Sequence, residues 1–525
     1  MPGHLSAQLT GPDLLPRPFD RPQPQTPFCL RLSPLPDPGA LMTISTESAG
    51  TASDRTAGVA AGLTADAVVA TTPATAAPYE VERDLESPNR NLTPISCSLD
   101  ARGRLQVGGC DLADLAQRYG TPLYVLDEAT LRATCRAYRQ ALEAHYPGPS
   151  LALYASKANS SLAISALVAS EGLGLDAVSS GELLTALEGG MPAERIVLHG
   201  NNKSREELAL AIGAGVTVVL DNWHDLELLA ELAPQAPVSL MLRLTPGIEC
   251  HTHEYIQTGH LDSKFGFDPD QLEAVLQELT RYPWAELTGL HAHIGSQIFE
   301  LQPHRDLAGV LADALALARS LGHPVRDLNV GGGLGIRYVA SDDPPSIQEW
   351  VRGVAEAVRQ ACQQRGLELP RLLCEPGRSL VASAGLTLYR IGSRKEVPGI
   401  RTYLSVDGGM SDTPRPITYQ SQYTAVLVER PRAEASDRVT LAGKHCESGD
   451  VLMKDLALPP ARSGDVLAVF ATGAYNASMA SNYNRIPKPA AVLVHEGAVD
   501  LVQRREQPEE LLRYDVLPER LTPVP

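Results

Sequence analysis

The 8 cysteines include no C-x-x-C pair and lie scattered from Cys29 to Cys446. That spacing fits neither a structural zinc site nor a secreted disulfide framework, and it implies a reducing, cytoplasmic setting. No apolar run comes near the roughly 20 residues that cross a bilayer. The N-terminus has no basic stretch leading into an apolar one, so neither export nor membrane insertion is expected. Basic charge is in deficit: 45 Lys and Arg face 62 Asp and Glu, a formal net charge of -17. An acidic field repels phosphate, which argues against nucleic acid and anionic membrane as partners and favours small molecules.

Regular structure is also missing from one region. "GPDLLPRPFDRPQPQTPFCLRLSPLPDPG" is too rich in proline for helix or sheet, and "TTPATAAPYEVERDLESPNRN" continues as an Ala/Thr/Pro linker. Residues 1–92 are expected to form a disordered extension. Met42, opening "MTISTESAG", is a candidate true start. A transit peptide would avoid acids, yet Asp13, Asp20 and Asp37 accompany Arg17, Arg21 and Arg31.

Beyond that extension the chain reads as ordered, with strands and helices in alternation. Strand-like runs occur at "LALYASK", "LGLDAVS", "RIVLHG", "VTVVLD", "VSLMLRL", "LTGLHAHIG", "DLNVGGG" and "RLLCEPG". Amphipathic helical stretches such as "SLAISALVAS" and "REELALAIGAG" lie between most of them. Eight strands, each with a crossover, predict a (β/α)8 barrel over 128–379, with a doubly wound open sheet as the competitor. After "EPGRSLV" come strands without helices, among them "LTLYRIGSRKEV", "DVLAVFA" and "AAVLVHEG". These predict a second, mainly antiparallel β domain over 380–525. The early strand "TPLYVLD" joins it, so that 93–127 supplies its N-terminal part.

Catalytic groups of such barrels sit at the C-terminal strand ends. Those ends carry Lys157, Asp176 and Ser179, His199, Asp221, Arg243, His293 and Ser296, Gly331 to Gly333, then Glu375 and Arg378. Lys157 is the nucleophile candidate, because an amine with a lowered pKa attacks a carbonyl to form a Schiff base. A lone lysine would more often snorkel to water. Two glycine turns on adjacent strands, "NVGGGLG" and "EPGR", change that balance, since backbone N–H groups and Arg378 can cradle a phosphate. An imine-forming lysine beside a phosphate cradle suits pyridoxal phosphate, and Glu375 supplies a carboxylate to keep a pyridine nitrogen protonated.

Other readings stay open at this level. His291 and His293, spaced by two, share one side of a strand, and with His251 and His253 they allow a metal-hydrolase barrel. His293 alone could be a core histidine, Cys446 a buried apolar thiol, and Asp176 with Arg243 a structural ion pair.

The motifs "YASKAN", "DAVSSGEL", "HGNNKS", "TGHLDSKFGF", "GLHAHIGSQI", "NVGGGLGI", "CEPGRSLV", "VDGGMSDTPRPITY", "CESGD" and "ATGAYNASMASNYN" occur in that order. Together they closely resemble the diaminopimelate decarboxylases, fold type III pyridoxal-phosphate enzymes related to ornithine decarboxylase and alanine racemase. The resemblance runs from about Pro94 to the C-terminus. It implies decarboxylation of meso-2,6-diaminopimelate to L-lysine and CO2, the last step of lysine biosynthesis, with ornithine or arginine decarboxylation as the alternative. It implies that Lys157 carries the cofactor and that His293 stacks on its ring. Asp176, Ser296, Gly331, Gly332, Gly333, Glu375, Gly377, Arg378 and Tyr475 complete the cofactor site. Arg378, Arg415, Tyr419, Glu447 and Tyr475 bind substrate, and Cys446 is the proton donor. In relatives the Cys446 segment reaches the partner's site, which implies a homodimer with shared active sites. The catalytic set is intact, which argues against a decayed copy serving only as a binding partner. Two departures stand out: Lys444 replaces a proline common in the family, and "NRIPKPAAVLV" is looser than the usual pattern.

Overall fold

The computed structural model describes residues 83–248 and 262–521. Residues 1–82, with Met42, and the pair His251 and His253 lie outside the described residues. Residues 83–92, the end of the stretch expected to be disordered, are placed against the barrel. Asn89 is buried and donates from Nδ2 to the carbonyls of Gly335 and Pro345 at 3.2 and 2.9 Å, while Ser87 Oγ accepts from Ile347 N at 2.7 Å. Short polar side chains that satisfy backbone groups of another segment anchor a chain that composition alone reads as a linker.

Three short strands, β1 (Ser98–Leu99), β2 (Leu105–Val107) and β3 (Cys110–Asp111), form an antiparallel sheet that leads into α1 (Leu112–Tyr119). β4 (Leu123–Asp127) and α2 (Glu128–His145) come next. The barrel strands are β5 (Ser150–Ala155), β6 (Gly174–Ala177), β7 (Ile196–Leu198), β8 (Thr217–Leu220), β9 (Val238–Leu244), β10 (Ala285–Ala292), β11 (Asp327–Asn329) and β12 (Arg371–Cys374). All pair in parallel in chain order, and β12 pairs with β5 to close the ring, so the open-sheet alternative is excluded. The crossovers contain α3 (Leu162–Ser170), α4 (Ser180–Glu188), α5 (Arg205–Ala214), α6 (Trp223–Leu232), α7 (Leu272–Leu279), α8 (Gln302–Ser320), α9 (Ile347–Gln364) and α10 (Arg378–Val381). Helix starts are capped by the residues the sequence puts there. Ser204 with Glu207 and Ser346 with Glu349 form capping boxes, and Ser179 accepts from Glu182 N. Ser179, expected on the catalytic rim, is therefore a helix cap.

Strand periodicity aims the chemistry. Leu153, Val197, Val219, Met241 and Leu373 form their own apolar cluster apart from the helix-facing core, filling the inside of the barrel. Side chains repeat every two residues along a strand. The same inward parity therefore places Ala155, His199, Asp221, Arg243 and Glu375 one step higher, at the mouth. Leu290 and Leu328 pack outward in the main core, so their neighbours His291 and Asn329 also turn inward.

The second domain is built around β13 (Gly385–Val397), which pairs with β4, β14 (Arg401–Val406) and β18 (Val466–Phe470). α11 (Arg415–Tyr419), β15 (Ala425–Leu427), β16 (Asp437–Ala442), β17 (Val451–Leu458), β19 (Ala490–His495) and β20 (Ala498–Gln503) complete it. The sheet is mostly antiparallel, with parallel pairs at β14–β16 and β4–β19. It draws strands from both chain ends, because β4 lies between β13 and β19. β2 and α1 pack into its core through Leu105, Val107, Leu112 and Leu115, with Leu99 of β1 against them. Among the described residues no helix is long and apolar enough to cross a membrane.

Candidate active site at the barrel mouth

Lys157 sits on a single 3-10 turn, Ser156–Ala158, directly after β5. A loop of the β domain clamps that turn. Ser478 Oγ donates to the Lys157 carbonyl at 2.9 Å, Tyr475 N donates to the Ala158 carbonyl at 2.7 Å, and Asn159 Nδ2 donates to the Gly473 carbonyl at 3.1 Å. Ser156 Oγ donates to Glu182 Oε2 at 2.7 Å, which fixes the turn from the other side. The cavity there holds about 820 Å³ with its open mouth and is lined by Lys157, Asp176, His293, Ser296, Gly333, Glu375, Gly377, Arg378, Arg415, Tyr419 and Tyr475. A concave mouth lined by several convergent polar side chains has the form of a small-molecule site. A second lobe shares Lys157, Asp176, His293 and Glu375 and adds His199, Arg243 and His291.

Glu375 is the electrostatic centre. Its Oε1 lies 2.8 Å from His199 Nε2 and accepts from Asn329 Nδ2 at 2.6 Å, and its Oε2 lies 3.1 Å from His291 Nε2. Burial alone would raise this carboxyl, but His199 and His291 outweigh burial and hold it well below the usual range. Burial pushes His291 down to about 4, with Glu375 opposing, and His293 well below an ordinary histidine. Asp176 is raised to about 6 by burial, with His199 opposing, and its Oδ1 has no hydrogen-bond partner among the described residues.

At the other end lie the glycine turns. Gly331 and Gly333 have φ of +65° and +130°, which L side chains avoid. A Cβ on Gly332 would come 2.3 Å from the Glu375 carbonyl oxygen, so only glycine fits there. Gly331 N donates to Asn329 Oδ1 at 3.0 Å and Gly332 N to His293 Nδ1 at 3.1 Å. Arg378, buried, donates from both Nε and Nη2 to Ser296 Oγ at 3.0 Å. Its Nη1 and that of Arg415 both donate to the Tyr338 hydroxyl at 2.8 Å, and Arg415 also reaches Tyr423 at 2.8 Å. Burial would raise the Tyr338 phenol, yet the two guanidiniums bring it below its ordinary value. Arg415 Nε is buried without a hydrogen-bond partner among the described residues.

Cys446 and Glu447 are elsewhere. Both are exposed on the loop between β16 and β17 and line neither lobe of their own chain's cavity. The loop is nonetheless held firmly. Cys446 N donates to Asn484 Oδ1 at 2.9 Å, and His445 Nδ1 lies 2.7 Å from Asp450 Oδ2. The His445 ring stacks on Tyr483, 6.0 Å between centroids. Lys444 N donates to the Gly408 carbonyl at 2.9 Å, a bond that a proline at this position could not make. Among the described cysteines Cys446 alone is exposed, and burial raises the other thiols, Cys97 and Cys135 to about 12.

The Asp176–Arg243 ion pair, one of the readings left open by the sequence, does not form. Arg243 lies 3.5 Å from Asp221 on the adjacent strand and packs over the Phe265 ring. Of the four histidines in the metal-hydrolase reading, His251 and His253 lie outside the described residues, His293 Nδ1 accepts from Gly332 N, and His291 Nε2 lies against Glu375. Three possible ligand atoms, from His199, His291 and Glu375, do lie within 4.8 Å of one another, already hydrogen-bonded around the carboxylate. Sequence reasoning gave no role to Asn329, Tyr338, Tyr423 or Asn484. The inward parity of β11 could have found Asn329, while the other three act through contacts that no local pattern announces.

The site fits pyridoxal phosphate. It has an amine for the aldehyde, a buried unpartnered carboxylate oxygen on Asp176 among cations, and a glycine turn beside Ser296 and Arg378 for an anion. The family pattern described as "Pyridoxal-dependent decarboxylase, pyridoxal binding domain" matches residues 128–382. A diaminopimelate decarboxylase from Synechocystis sp. is 56% identical over 445 residues, covering 83% of this chain and 95% of that one. The diaminopimelate decarboxylase of Bacillus subtilis is 47% identical over 428 residues, covering 79% and 95%. The crystal structure of diaminopimelate decarboxylase from M. jannaschii in co-complex with L-lysine superposes with a TM-score of 0.75 at 33% identity, covering 81% of this chain and 99% of that one. A chain with this barrel mouth, sharing more than half its aligned residues with one such relative, belongs to the diaminopimelate decarboxylase family of pyridoxal-phosphate-dependent enzymes.

Proposed function

We propose that the chain decarboxylates meso-2,6-diaminopimelate to L-lysine and carbon dioxide, and that its active site is completed by a second copy. The observation that carries the substrate choice is the second buried guanidinium. Arg415 lines the same cavity as Lys157 and Arg378, and its Nε has no partner within the described residues. A substrate with two carboxylates uses a cation beyond those that serve the cofactor and the reacting end, whereas ornithine and arginine carry one carboxylate.

Lys157, Asp176, His293, Ser296, Gly331 to Gly333, Glu375, Gly377, Arg378 and Tyr475 would hold the cofactor. When bound, it supplies an electron sink for the pair left behind by carbon dioxide. The remaining roles belong to this chain's own residues. His293, kept neutral by burial, adds no positive charge next to the Lys157 amine. Arg415 and Tyr419 receive the distal carboxylate, and Glu447 receives the distal ammonium. The Cys446 thiol gives its proton from Sγ to the substrate carbon that has lost its carboxylate. Because Cys446 and Glu447 are exposed and outside their own chain's cavity, they serve the mouth of the partner in a homodimer. A cytoplasmic location suits an enzyme whose exposed thiol must stay reduced.

The test is parallel incubation with meso-diaminopimelate, L-ornithine and L-arginine, with and without added pyridoxal phosphate, following carbon dioxide release. Release from meso-diaminopimelate alone, stimulated by the cofactor, is the expected result. Faster release from ornithine or arginine would overturn the substrate assignment.

A further inference from the structure

The barrel spends an unusual number of polar side chains on one carboxylate. His199 follows β7, while His291 lies on β10, Asn329 on β11 and Glu375 at the end of β12, so four elements converge there. All four side chains are buried. We propose that His199, His291 and Asn329 are positioning residues that fix the direction and charge of the Glu375 carboxylate, leaving one acceptor site on Oε2 for the cofactor's ring nitrogen. The inference rests on the reading of Glu375 given above and extends it to three residues with no assigned role.

The geometry counts out the acceptor sites. An ionised carboxylate offers about four lone-pair positions, two on each oxygen. Oε1 takes His199 Nε2 and Asn329 Nδ2, which fills it. Oε2 takes His291 Nε2 and retains one position. Asn329 is itself oriented, because its Oδ1 accepts from Gly331 N at 3.0 Å. One amide thus ties the acid to the glycine turn proposed to hold the phosphate, so the two ends of the cofactor site share a rigid link. The His199 and His291 rings meet edge to face, 4.6 Å between centroids, which keeps both Nε2 atoms aimed at the carboxylate. A buried charge that served only packing would be replaced by an apolar side chain at little cost. Three directed donors for one acid are the arrangement expected where the acid must stay charged and in register with a ligand.

The experiment is a double-mutant cycle on the full-length holoenzyme, read by cofactor dissociation constant and by the visible absorption maximum of the bound cofactor. The variants are Glu375→Gln, His291→Leu, His199→Leu, His291→Gln and the double variant His291→Leu/Glu375→Gln. Loss of a hydrogen bond to a charged acceptor predicts about tenfold weaker cofactor binding for each leucine variant. Their absorption maxima should move toward that of Glu375→Gln. His291→Gln, which keeps an N–H donor at similar reach, should stay near wild type, and it separates a folding defect from loss of the donor. The double variant should be no worse than Glu375→Gln alone, because the histidine acts through the acid. Wild-type affinity and spectrum in both leucine variants, strictly additive losses in the double variant, or an unaffected Glu375→Gln would each overturn the proposal. Carbon dioxide release by the wild-type enzyme is measured separately, so the substrate assignment stands or falls on its own.

Discussion

The barrel mouth and the Cys446 loop are built on opposite terms. At the mouth, buried side chains from the ends of β6 to β12 gather beside Lys157 within one chain, and most of their polar groups are hydrogen-bonded to one another. The loop is equally well braced, by Asn484, Asp450 and Tyr483, yet it presents Cys446 and Glu447 to the outside. A braced but outward-facing thiol makes sense as a part made for another copy. On the proposal above, one chain holds the cofactor and another delivers the proton.

This contrast can be broken or sharpened by substitution. Lys157→Ala removes the amine at the mouth, and the expected result is turnover reduced about a thousandfold or more, with no visible band from covalently held cofactor. Retention of that band would place the linkage elsewhere. Cys446→Ala should lose about a hundredfold in turnover, within the range for removal of a general acid, while cofactor content and absorbance stay at wild-type levels. A parallel loss of cofactor would mean that the loop supports the mouth structurally.

A smaller effect separates substrate recognition from chemistry. Tyr338→Phe removes the oxygen shared by Arg378 and Arg415. KM for meso-diaminopimelate should rise about tenfold with kcat within a few-fold of wild type, since one hydrogen bond to each cation is lost. An unchanged KM would show that the arginines hold their spacing without it.

The remaining prediction concerns stability rather than turnover. His445 of the loop is paired with Asp450, whereas both ring nitrogens of His304 in the barrel are buried without a hydrogen-bond partner among the described residues, beside Trp350. Burial lowers His304 to about 4, so the folded protein stays unprotonated there while the unfolded chain takes up a proton below its ordinary value of 6.5. That group therefore favours unfolding progressively as pH falls from 6.5 to 4. His304→Leu should remove up to about 3 kcal/mol of this acid destabilisation. Thermal midpoints of the two proteins across that pH range should converge or cross toward acid, and parallel curves would refute it.

Much of the architecture was legible because buried parallel strands read as unbroken apolar runs. All eight barrel strands and the recruitment of "TPLYVLD" into the second domain could be read from such runs. β15 was missed because three residues carry no period, and β17 because "VLMKDLAL" alternates buried and exposed pairs rather than single residues. At the site, the glycine turns and Lys157 announce themselves through local chemistry. Asn329 and Tyr338 do not, because their partners lie 46 and 77 residues away in the chain, at Glu375 and Arg415. Ser179 misled in the other direction, since a helix cap and a rim hydroxyl look alike in sequence.

The central claim is that one chain supplies the amine and another the thiol. Lys157→Ala and Cys446→Ala proteins, each nearly inactive, should be mixed and allowed to exchange subunits with pyridoxal phosphate present. Random pairing in a twofold dimer leaves one intact site in half of the dimers, so activity should return to about a quarter of wild type. If subunits exchange and no activity returns, lysine and cysteine act within the same chain and the shared-site account is wrong.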